Sequence, residues 1–405
     1  MSTENPIKGG EFIIRNTKPE DIFTPEEWSE EHKMIAQTCE EFILKEVIPH
    51  LDRIDAMEEG LMPSLMEKAG ELGLLGLSVP EDLGGMGVDF KTSLLATEYL
   101  GLGFSFSVAF GAHTGIGTLP LLYYGNEEQK KKYIPKLASG EWKAAYCLTE
   151  PSSGSDANSG KTKADLSDDG THYTINGQKM WITNAKQADY FCTLVNTGDG
   201  NVHKNKSLVI IPSDTKGLSV GDKIEKLGQL TSDTAPVYFD NVKVPQRYRI
   251  GEEGDGFKMQ MEQFQEERIF ISAINLALLD ECVAETIGYC KDRTAFGRKI
   301  IENQSIHFKL AELQTEIEAT RALIYRACEE FVNGNDLTNL ASMAKLKSGR
   351  LIRDVSDACL QLYGGMGFTW ENQASKIYRD GRLTSIGGGA DEIMLRIICK
   401  YMGII

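Results

Sequence analysis

The spacing of apolar residues changes twice along the chain and divides it into three zones. From about residue 24 to 140, apolar residues recur every three or four positions, which is typical of one helix face; positions 35, 39, 42 and 43 are an example. Residues 24–27 read Thr-Pro-Glu-Glu and indicate a helix start, because Thr24 can cap, Pro25 suits the first turn and Glu27 can complete a capping box. The first zone is therefore predicted to be helical.

From about residue 143 to 250, short apolar runs alternate with segments rich in Gly and Asp. This pattern predicts strands, for example at 143–148, 191–195 and 207–211. Asn176 and Gly177 separate two such runs, which predicts a hairpin with a type I′ turn. Residues 237–244 are interpreted as a strand, a tight turn and another strand.

Helical spacing returns from about residue 256 in longer units, with candidate helices at 256–290, 304–332, 337–363 and 390–402. Helices, then strands, then helices, without regular alternation, favour separate α and β domains over a doubly wound sheet. We predict a multidomain α+β protein. Its parts would be an N-terminal helical domain (1–142), a central β-barrel-like domain (143–253) and a C-terminal helical bundle (254–405).

Composition excludes several classes of protein. The 405 residues carry 43 basic and 59 acidic side chains, a net charge of −16, so coating of nucleic acid or of an anionic membrane is not expected. No apolar run reaches the roughly 18 residues of a membrane-spanning helix, and the N-terminus resembles neither a signal nor a transit peptide. Eight scattered cysteines and six histidines form no ligand cluster. We expect a cytoplasmic protein without a bound metal.

Two segments of the central zone are candidates for ligand binding. The loop at 148–156 follows a predicted strand and is rich in small polar residues, so it could offer N–H groups and hydroxyls to a ligand, or be an ordinary surface turn. Trp181, followed by Thr183 and Asn184, could be a core residue or could form the wall for a planar cofactor.

Two segments of the C-terminal zone are candidates for catalysis. Glu266 and Glu267 point about 100° apart on a helix, and only Glu267 lies on the apolar stripe of Phe264 and Ile271. A carboxylate there lies either at the edge of the stripe or inside the protein, where burial would raise its pKa towards that of a base.

The other segment is residues 386–392, which contain three glycines before a predicted helix. They allow close backbone approach with free N–H groups, or form a hinge in which Asp391 and Glu392 complement the helix dipole.

Together and in this order, these segments resemble the acyl-CoA dehydrogenase family over nearly the whole chain. The motifs that carry the resemblance are LTEPSSGSD at 148–156, NGQKMWITN at 176–184, RTAFG at 293–297, QLYGGMG at 361–367 and the Arg-Asp pair at 379–380. The resemblance implies the three-domain acyl-CoA dehydrogenase fold with a C-terminal four-helix bundle, a homotetramer, FAD as the cofactor, and an electron-transfer flavoprotein as the acceptor of electrons.

The resemblance also implies site residues. Those expected to bind the cofactor are Tyr146, Leu148, Thr149, Gly154, Ser155, Trp181, Ile182, Thr183, Arg293, Phe296, Gln304, Gln361, Gly364, Gly365, Asp391 and Glu392, those near the adenine end partly from a neighbouring subunit. Those expected to contact the acyl-CoA are Ser155, Phe264, Arg268, Gly387 and Gly388.

The family's commonest catalytic base, a glutamate, is replaced here by Gly388. The isovaleryl-type and long-chain-type members carry the base on an earlier helix before an arginine, and Glu267-Arg268 matches that pattern. The resemblance implies that Glu267 removes the α-proton of an acyl-CoA as FAD accepts the β-hydride, while the backbone N–H of Gly388 stabilises the thioester oxygen. The small Gly387 and Gly388 favour a branched or bulky acyl group. An acyl-CoA oxidase and a non-catalytic homologue that binds acyl-CoA or FAD remain alternatives.

Overall fold

The computed structural model describes residues 28–405. Helix α1 (Glu30–Phe42) is the first described element, and Ser29 caps it by accepting from the His32 N–H while the Ser29 N–H donates to the His32 ring. The helix start expected at residues 24–27 lies outside the described residues. The other helices of the N-terminal part are α2 (Leu51–Asp55), α3 (Leu61–Glu71), α4 (Phe90–Leu100), α5 (Ser105–Gly111), α6 (Leu119–Tyr124) and α7 (Glu127–Ala138).

A buried histidine joins this helical part to the sheet. His113 lies in a π-helical turn, Ala112–Gly117, between α5 and α6. Its Nδ1 accepts from the Ala144 N–H at 3.0 Å, so Nε2 carries the proton and donates to the Leu137 carbonyl at 2.9 Å. Burial lowers the pKa of His113 to about 4. The neutral ring therefore connects the end of α7 to the first strand.

The central part is one eight-stranded sheet. The strands are β1 (Ala144–Cys147), β2 (Lys163–Leu166), β3 (His172–Ile182), β4 (Tyr190–Asn196), β5 (Lys206–Pro212), β6 (Leu218–Val220), β7 (Ala235–Pro245) and β8 (Arg249–Ile250). Seven of them follow the order β6-β7-β3-β2-β4-β5-β8, and β1 pairs in parallel with β4.

The hairpin predicted at Asn176 and Gly177 is wrong. Strand β3 continues through both residues and pairs with β7, with a register shift between Ile175 and Gly177. A Cβ on Gly177 would lie 2.7 Å from Thr162 Cα, so the glycine serves close strand packing. The turn expected within 237–244 is wrong too, since β7 is continuous and only Asn241, at φ 51°, interrupts its regular backbone.

The C-terminal part returns to helices. The single helix expected at 256–290 is two, α8 (Gly256–Ala273) and α9 (Leu276–Asp292). Asn275 lies at the break and donates to Ser348 Oγ at 2.9 Å, while Gly101 packs so closely on the Ile274 carbonyl that a Cβ there would be 1.8 Å from the oxygen. The remaining elements are β9 (Thr294–Ala295), β10 (Arg298–Lys299), α10 (Gln304–Val332), α11 (Thr338–Tyr363), α12 (Gln373–Gly381) and α13 (Asp391–Tyr401).

The buried apolar side chains pack in clusters that are distributed over the three parts of the described chain. One cluster fills the space between α4 and the C-terminal helices, and another lies among the N-terminal helices. Two clusters cover the sheet, and one of these joins it to α6, α7 and α8. Helix α8 thus lies between the sheet, the N-terminal helices and the bundle. Within residues 28–405, no helix combines the length and apolar character that crossing a bilayer requires.

Candidate active site

The carboxylate of Glu267 faces a turn made of glycines. Residues 386–390, called the glycine turn below, connect a short 3₁₀ segment to α13. A Cβ built on Gly388 would lie 3.9 Å from Glu267 Oε1 and 2.8 Å from Ile271 Cδ1. Gly388 has φ 64°, a conformation that glycine adopts without strain. Two candidates that lie about 120 positions apart in the sequence are therefore neighbours.

Glu267 has the electrostatic character of a base. Burial raises its pKa from 4.5 to about 7, although the positive charges of Arg268 and Lys345 oppose the rise. The residue as a whole is only partly enclosed, but its Oε2 is shielded from solvent and has no hydrogen-bond partner among the described residues. A free acceptor with a pKa near neutrality can take up a proton from a bound molecule.

Glu266 is buried as well, which helix periodicity did not indicate. Only 6% of its surface is exposed, and its Oε2 accepts a hydrogen bond from Tyr123 OH at 2.6 Å. Burial raises its pKa to about 7, while the bond from Tyr123 acts in the opposite direction. Glu266 faces α6 of the N-terminal part, so its burial depends on a contact that the pattern of a single helix does not contain.

The loop at 148–156 is held at its base by a buried lysine. Lys179 Nζ donates to the Leu148 carbonyl at 3.0 Å, the Leu194 carbonyl at 2.7 Å and Glu150 Oε1 at 3.0 Å. Within the loop, Glu150 and Ser153 exchange backbone hydrogen bonds, whereas Gly154 and Ser155 are exposed. No described atom lies within 4 Å of a Cβ placed on Gly154. The loop therefore has a fixed base and an open tip.

Trp181 is not a core residue. It is 56% exposed and has φ 62°, although Ile182 beside it is buried. Asn184 holds the end of this segment by donating to the carbonyls of Ala109 at 2.8 Å and Ala144 at 3.2 Å. Thr183 is half-buried between them. The segment thus presents an indole to solvent next to the start of β1.

Tyr146 lies between the sheet and α8. Its hydroxyl is buried and has no partner among the described residues. Burial, the neighbouring Cys192 thiol and the Glu267 carboxylate raise the pKa of Tyr146 well above its ordinary value. An unpartnered hydroxyl, an exposed indole and an open glycine loop fit a bound group with a planar ring and hydrogen-bonding atoms, as FAD has.

A second group of predicted residues lies away from Glu267, at the exposed surface of the bundle. Phe296 is fully exposed with φ 52°, and no described atom lies within 4 Å of a Cβ placed on Gly364 or Gly365. Tyr289 and Tyr363 pack with ring centroids 4.5 Å apart and join the ends of α9 and α11. The exposed members of the group are Arg293, Phe296, Gln304, Gln361, Gly364 and Gly365.

The remaining candidates lie on α8 near Glu267, in the glycine turn and at the start of α13. Arg268 is buried, its guanidinium lies 5.7 Å from the centre of the Phe264 ring, and its Nε has no partner among the described residues. Asp391 is buried beside Arg350, at 3.5 Å, whereas Glu392 is exposed. Gly387 is half-buried, and a Cβ there would meet Leu383 Cδ1 at 3.4 Å.

Sequence reasoning missed Lys345 of α11. It is fully buried, and its Nζ donates to the Gly389 carbonyl of the glycine turn. Its position on the same helix face as the buried Ala341 and Ser348 was a signal, because a lysine is rarely found on a buried stripe. Within residues 28–405, no group of three or more His, Cys, Asp or Glu side chains could hold a metal ion.

Three family models match the chain in succession. They are the N-terminal domain of acyl-CoA dehydrogenase over residues 29–141, the middle domain over 145–242 and the C-terminal domain over 254–403. An acyl-CoA dehydrogenase of Bacillus subtilis (strain 168) is 38% identical over 376 residues, which cover 92% of this chain and 98% of that protein.

Solved structures agree with these matches. An acyl-CoA dehydrogenase of Bacillus anthracis, complexed with FAD, superposes with a TM-score of 0.89 at 35% identity and covers 98% of this chain and 70% of that one. A chain described as electron transferring flavoprotein of Acidaminococcus fermentans superposes with a TM-score of 0.89 at 32% identity, over 93% of this chain and 99% of that one.

The chain therefore belongs to the acyl-CoA dehydrogenase family and has its three-domain fold. It is an FAD-dependent oxidoreductase that acts on acyl-CoA thioesters. The predicted family, fold class and cofactor are thus confirmed.

Proposed function

We propose that Glu267 is the catalytic base of an acyl-CoA dehydrogenase of the isovaleryl or long-chain type. The observation that carries the proposal is the pairing of an unpartnered, buried carboxylate with the turn that contains Gly388. With a pKa near 7, Glu267 is partly deprotonated at neutral pH and can accept the α-proton of a thioester bound between it and the turn. The two groups of residues described above would hold FAD, which would supply the acceptor for the β-hydride.

The glycine turn has the complementary role. An α-proton next to a thioester is a weak acid, so negative charge that develops on the thioester oxygen must be stabilised by hydrogen-bond donors. In our proposal the backbone N–H of Gly388 is one donor. Substrate burial would also expel water from Glu267 and strengthen these interactions. Ser155, Phe264 and Arg268 would contact the acyl-CoA, to which Arg268 offers a positive charge.

The glycines of this turn would also affect which acyl group can bind. Gly387 and Gly388 add no side chain to the turn that Glu267 faces. The positions that their Cβ atoms would take are approached by Leu383, by Ile271 and by Glu267 itself. We propose a substrate that is branched near Cβ, or a medium or long chain, and oxidation to the trans-2-enoyl-CoA. Initial rates across acyl-CoAs of graded length and branching test this, and a sharp preference for short straight chains would exclude it.

The wider setting is also proposed. Electrons would pass to an electron-transfer flavoprotein, in line with the described chain from A. fermentans. The exposed residues near Phe296 and Gly364 would hold the adenine end of FAD together with a neighbouring subunit of a homotetramer. We propose domains at 1–142, 143–253 and 254–405. We also propose a cytoplasmic location, with which the free thiols of the described residues agree, and a role in fatty-acid β-oxidation.

Glu267→Gln tests the base directly, because the amide has nearly the same shape but cannot take up the proton. The variant should bind FAD with an unchanged visible spectrum and bind acyl-CoA, but the flavin absorbance should no longer bleach when substrate is added anaerobically. Glu266→Gln, one residue away, is the matched control and should bleach normally. Bleaching at the wild-type rate in Glu267→Gln would contradict the proposal and would favour another base.

A further inference from the structure

Lys345 is a buried cation that the proposed reaction has not used. None of its surface is exposed, and its Nζ donates to the Gly389 carbonyl. The charged groups that face it come from two elements, Glu267 and Arg268 on α8 and Asp391 and Glu392 on α13. Burial of an ammonium group is costly unless it is paired and hydrogen-bonded, so its position in the site calls for a role.

The backbone of the glycine turn is flexible, so contacts from other elements are needed to hold it in place. Gly388 and Gly389 are adjacent residues with φ 64° and 105°, and neither has a side chain to restrict it. The bond from Lys345 holds the carbonyl at the end of the turn. Immediately before the turn, Ser385 Oγ donates to the Gly349 carbonyl at 2.9 Å. Both anchors come from one face of α11, since positions 345 and 349 are four residues apart.

Lys345 also acts on the carboxylate. Its positive charge, like that of Arg268, favours the ionised form of Glu267 and limits the rise in pKa that burial causes. Burial in turn lowers the pKa of Lys345 to about 8. The other titratable groups near Glu267 are Tyr146 on β1, which is neutral, and Glu266, whose carboxylate is bonded to Tyr123 of α6.

We infer that Lys345 is a positioning residue, which orients the Gly388 N–H through the Gly389 carbonyl and favours the ionised form of Glu267. The inference rests on the proposed function and adds a role for a residue that contacts neither the thioester nor the flavin in that proposal. One buried ammonium would thereby couple both halves of the machinery, the base and the hydrogen-bond donor.

Three substitutions separate the two roles. Lys345→Arg keeps the charge and the donors, Lys345→Gln keeps a donor without the charge, and Lys345→Met removes both. The matched control is Lys347→Met, since Lys347 lies on the same helix, is partly exposed and pairs with Glu316. FAD absorbance and thermal unfolding of each holoenzyme establish that the variants are folded.

The main measurement is kcat/KM against pH, whose acid limb reports the base in the free enzyme. Loss of the charge should move this limb upward by about one pH unit in the Met and Gln variants, so their rates below the limb fall about tenfold. In the Lys345→Arg and Lys347→Met variants, the acid limb should stay at the wild-type pH. At the pH plateau, the Met variant should have a lower kcat than the Gln variant with little change in KM, since only Gln retains a donor for Gly389.

A second readout does not depend on turnover. Infrared titration of the Glu267 carboxyl band, assigned by its absence in Glu267→Gln, should show the same upward shift in the Met and Gln variants. The inference would be overturned if the acid limb and the carboxyl band of all four variants coincided with those of the wild type. Equal upward shifts in the Met and Arg variants would also overturn it, because Arg keeps the charge. If Glu267→Gln turns over at the wild-type rate, the proposed function fails; if that variant has lost most of its activity and the limbs coincide, only the role of Lys345 fails.

Discussion

Glu266 and Glu267 are neighbouring carboxylates of α8 whose pKa values burial raises to a similar extent, but their hydrogen-bond partners differ. Burial raises the pKa of both Glu266 and Glu267 from 4.5 to about 7. Glu266 is satisfied by Tyr123 OH at 2.6 Å, whereas Glu267 Oε2 has no partner within residues 28–405 and faces the glycine turn. A raised pKa alone therefore does not identify a base. In our proposal, the free acceptor and the glycine turn that it faces distinguish Glu267, the base, from Glu266, a structural residue.

The largest expected difference between the two is in rate. Glu267→Gln should lower kcat/KM by roughly 10²–10⁴-fold, the usual contribution of a general base. Glu266→Gln should stay within about threefold of wild type, since an amide oxygen still accepts from Tyr123 and the net value of such a bond is small. Steady-state assays with one acyl-CoA compare the two variants. Equal losses would show that the two carboxylates act as a unit.

Gly388→Ala tests the space on the Glu267 side. The new Cβ would lie 2.8 Å from Ile271 Cδ1 and 3.9 Å from Glu267 Oε1, in a left-handed backbone conformation. We expect kcat/KM to fall about 100-fold through displacement of the substrate or the N–H. Gly403→Ala, at another positive-φ glycine with open surroundings, is the control for backbone strain alone. An unchanged rate in Gly388→Ala would place the thioester elsewhere.

The next prediction concerns stability against pH, where the two residues should behave alike. Because the folded pKa of each is raised, the folded chain holds protons that the unfolded chain has released between pH 4.5 and about 7. Each group's contribution to the free energy of unfolding is thus present below pH 4.5 and lost as pH rises through about 7.

Both Glu→Gln variants should therefore be more stable than wild type at pH 8, by about 1–3 kcal/mol, with a smaller gain at pH 5. Urea unfolding of the holoenzymes at the two pH values measures this difference. A larger gain at pH 5 than at pH 8 would contradict the burial of these carboxylates.

The smallest expected effect comes from the partner of Glu266. Tyr123→Phe removes the hydrogen bond between α6 and α8 and should cost about 1–2 kcal/mol of stability, with kcat/KM within about threefold of wild type. Tyr124→Phe removes a parallel but exposed bond, from Tyr124 to Glu262 at 2.7 Å, and should cost less. The difference in unfolding free energy between these variants measures how far burial strengthens the bond.

The limits of pattern reading are visible in particular elements. The helix at Gln304–Val332 matches the expected 304–332, because its apolar residues keep one period throughout. The hairpin at Asn176 and Gly177 was wrong because those residues also suit an irregular strand that passes close to Thr162. The break at Asn275 depends on Ser348 and Gly101, both far away in the sequence, so the local pattern could not contain it.

The sequence alone determined the class of this protein. Its helix, strand and helix zones and its ordered motifs led to the family and to FAD, and the stripe on α8 selected Glu267, because periodicity and motifs are local properties. Only the tertiary structure placed Glu267 opposite Gly388, paired Glu266 with Tyr123 and buried Lys345 beneath the glycine turn. These features arise from contacts between distant segments. The pKa of a carboxyl group depends on what such segments exclude or supply, namely water, charge and hydrogen bonds.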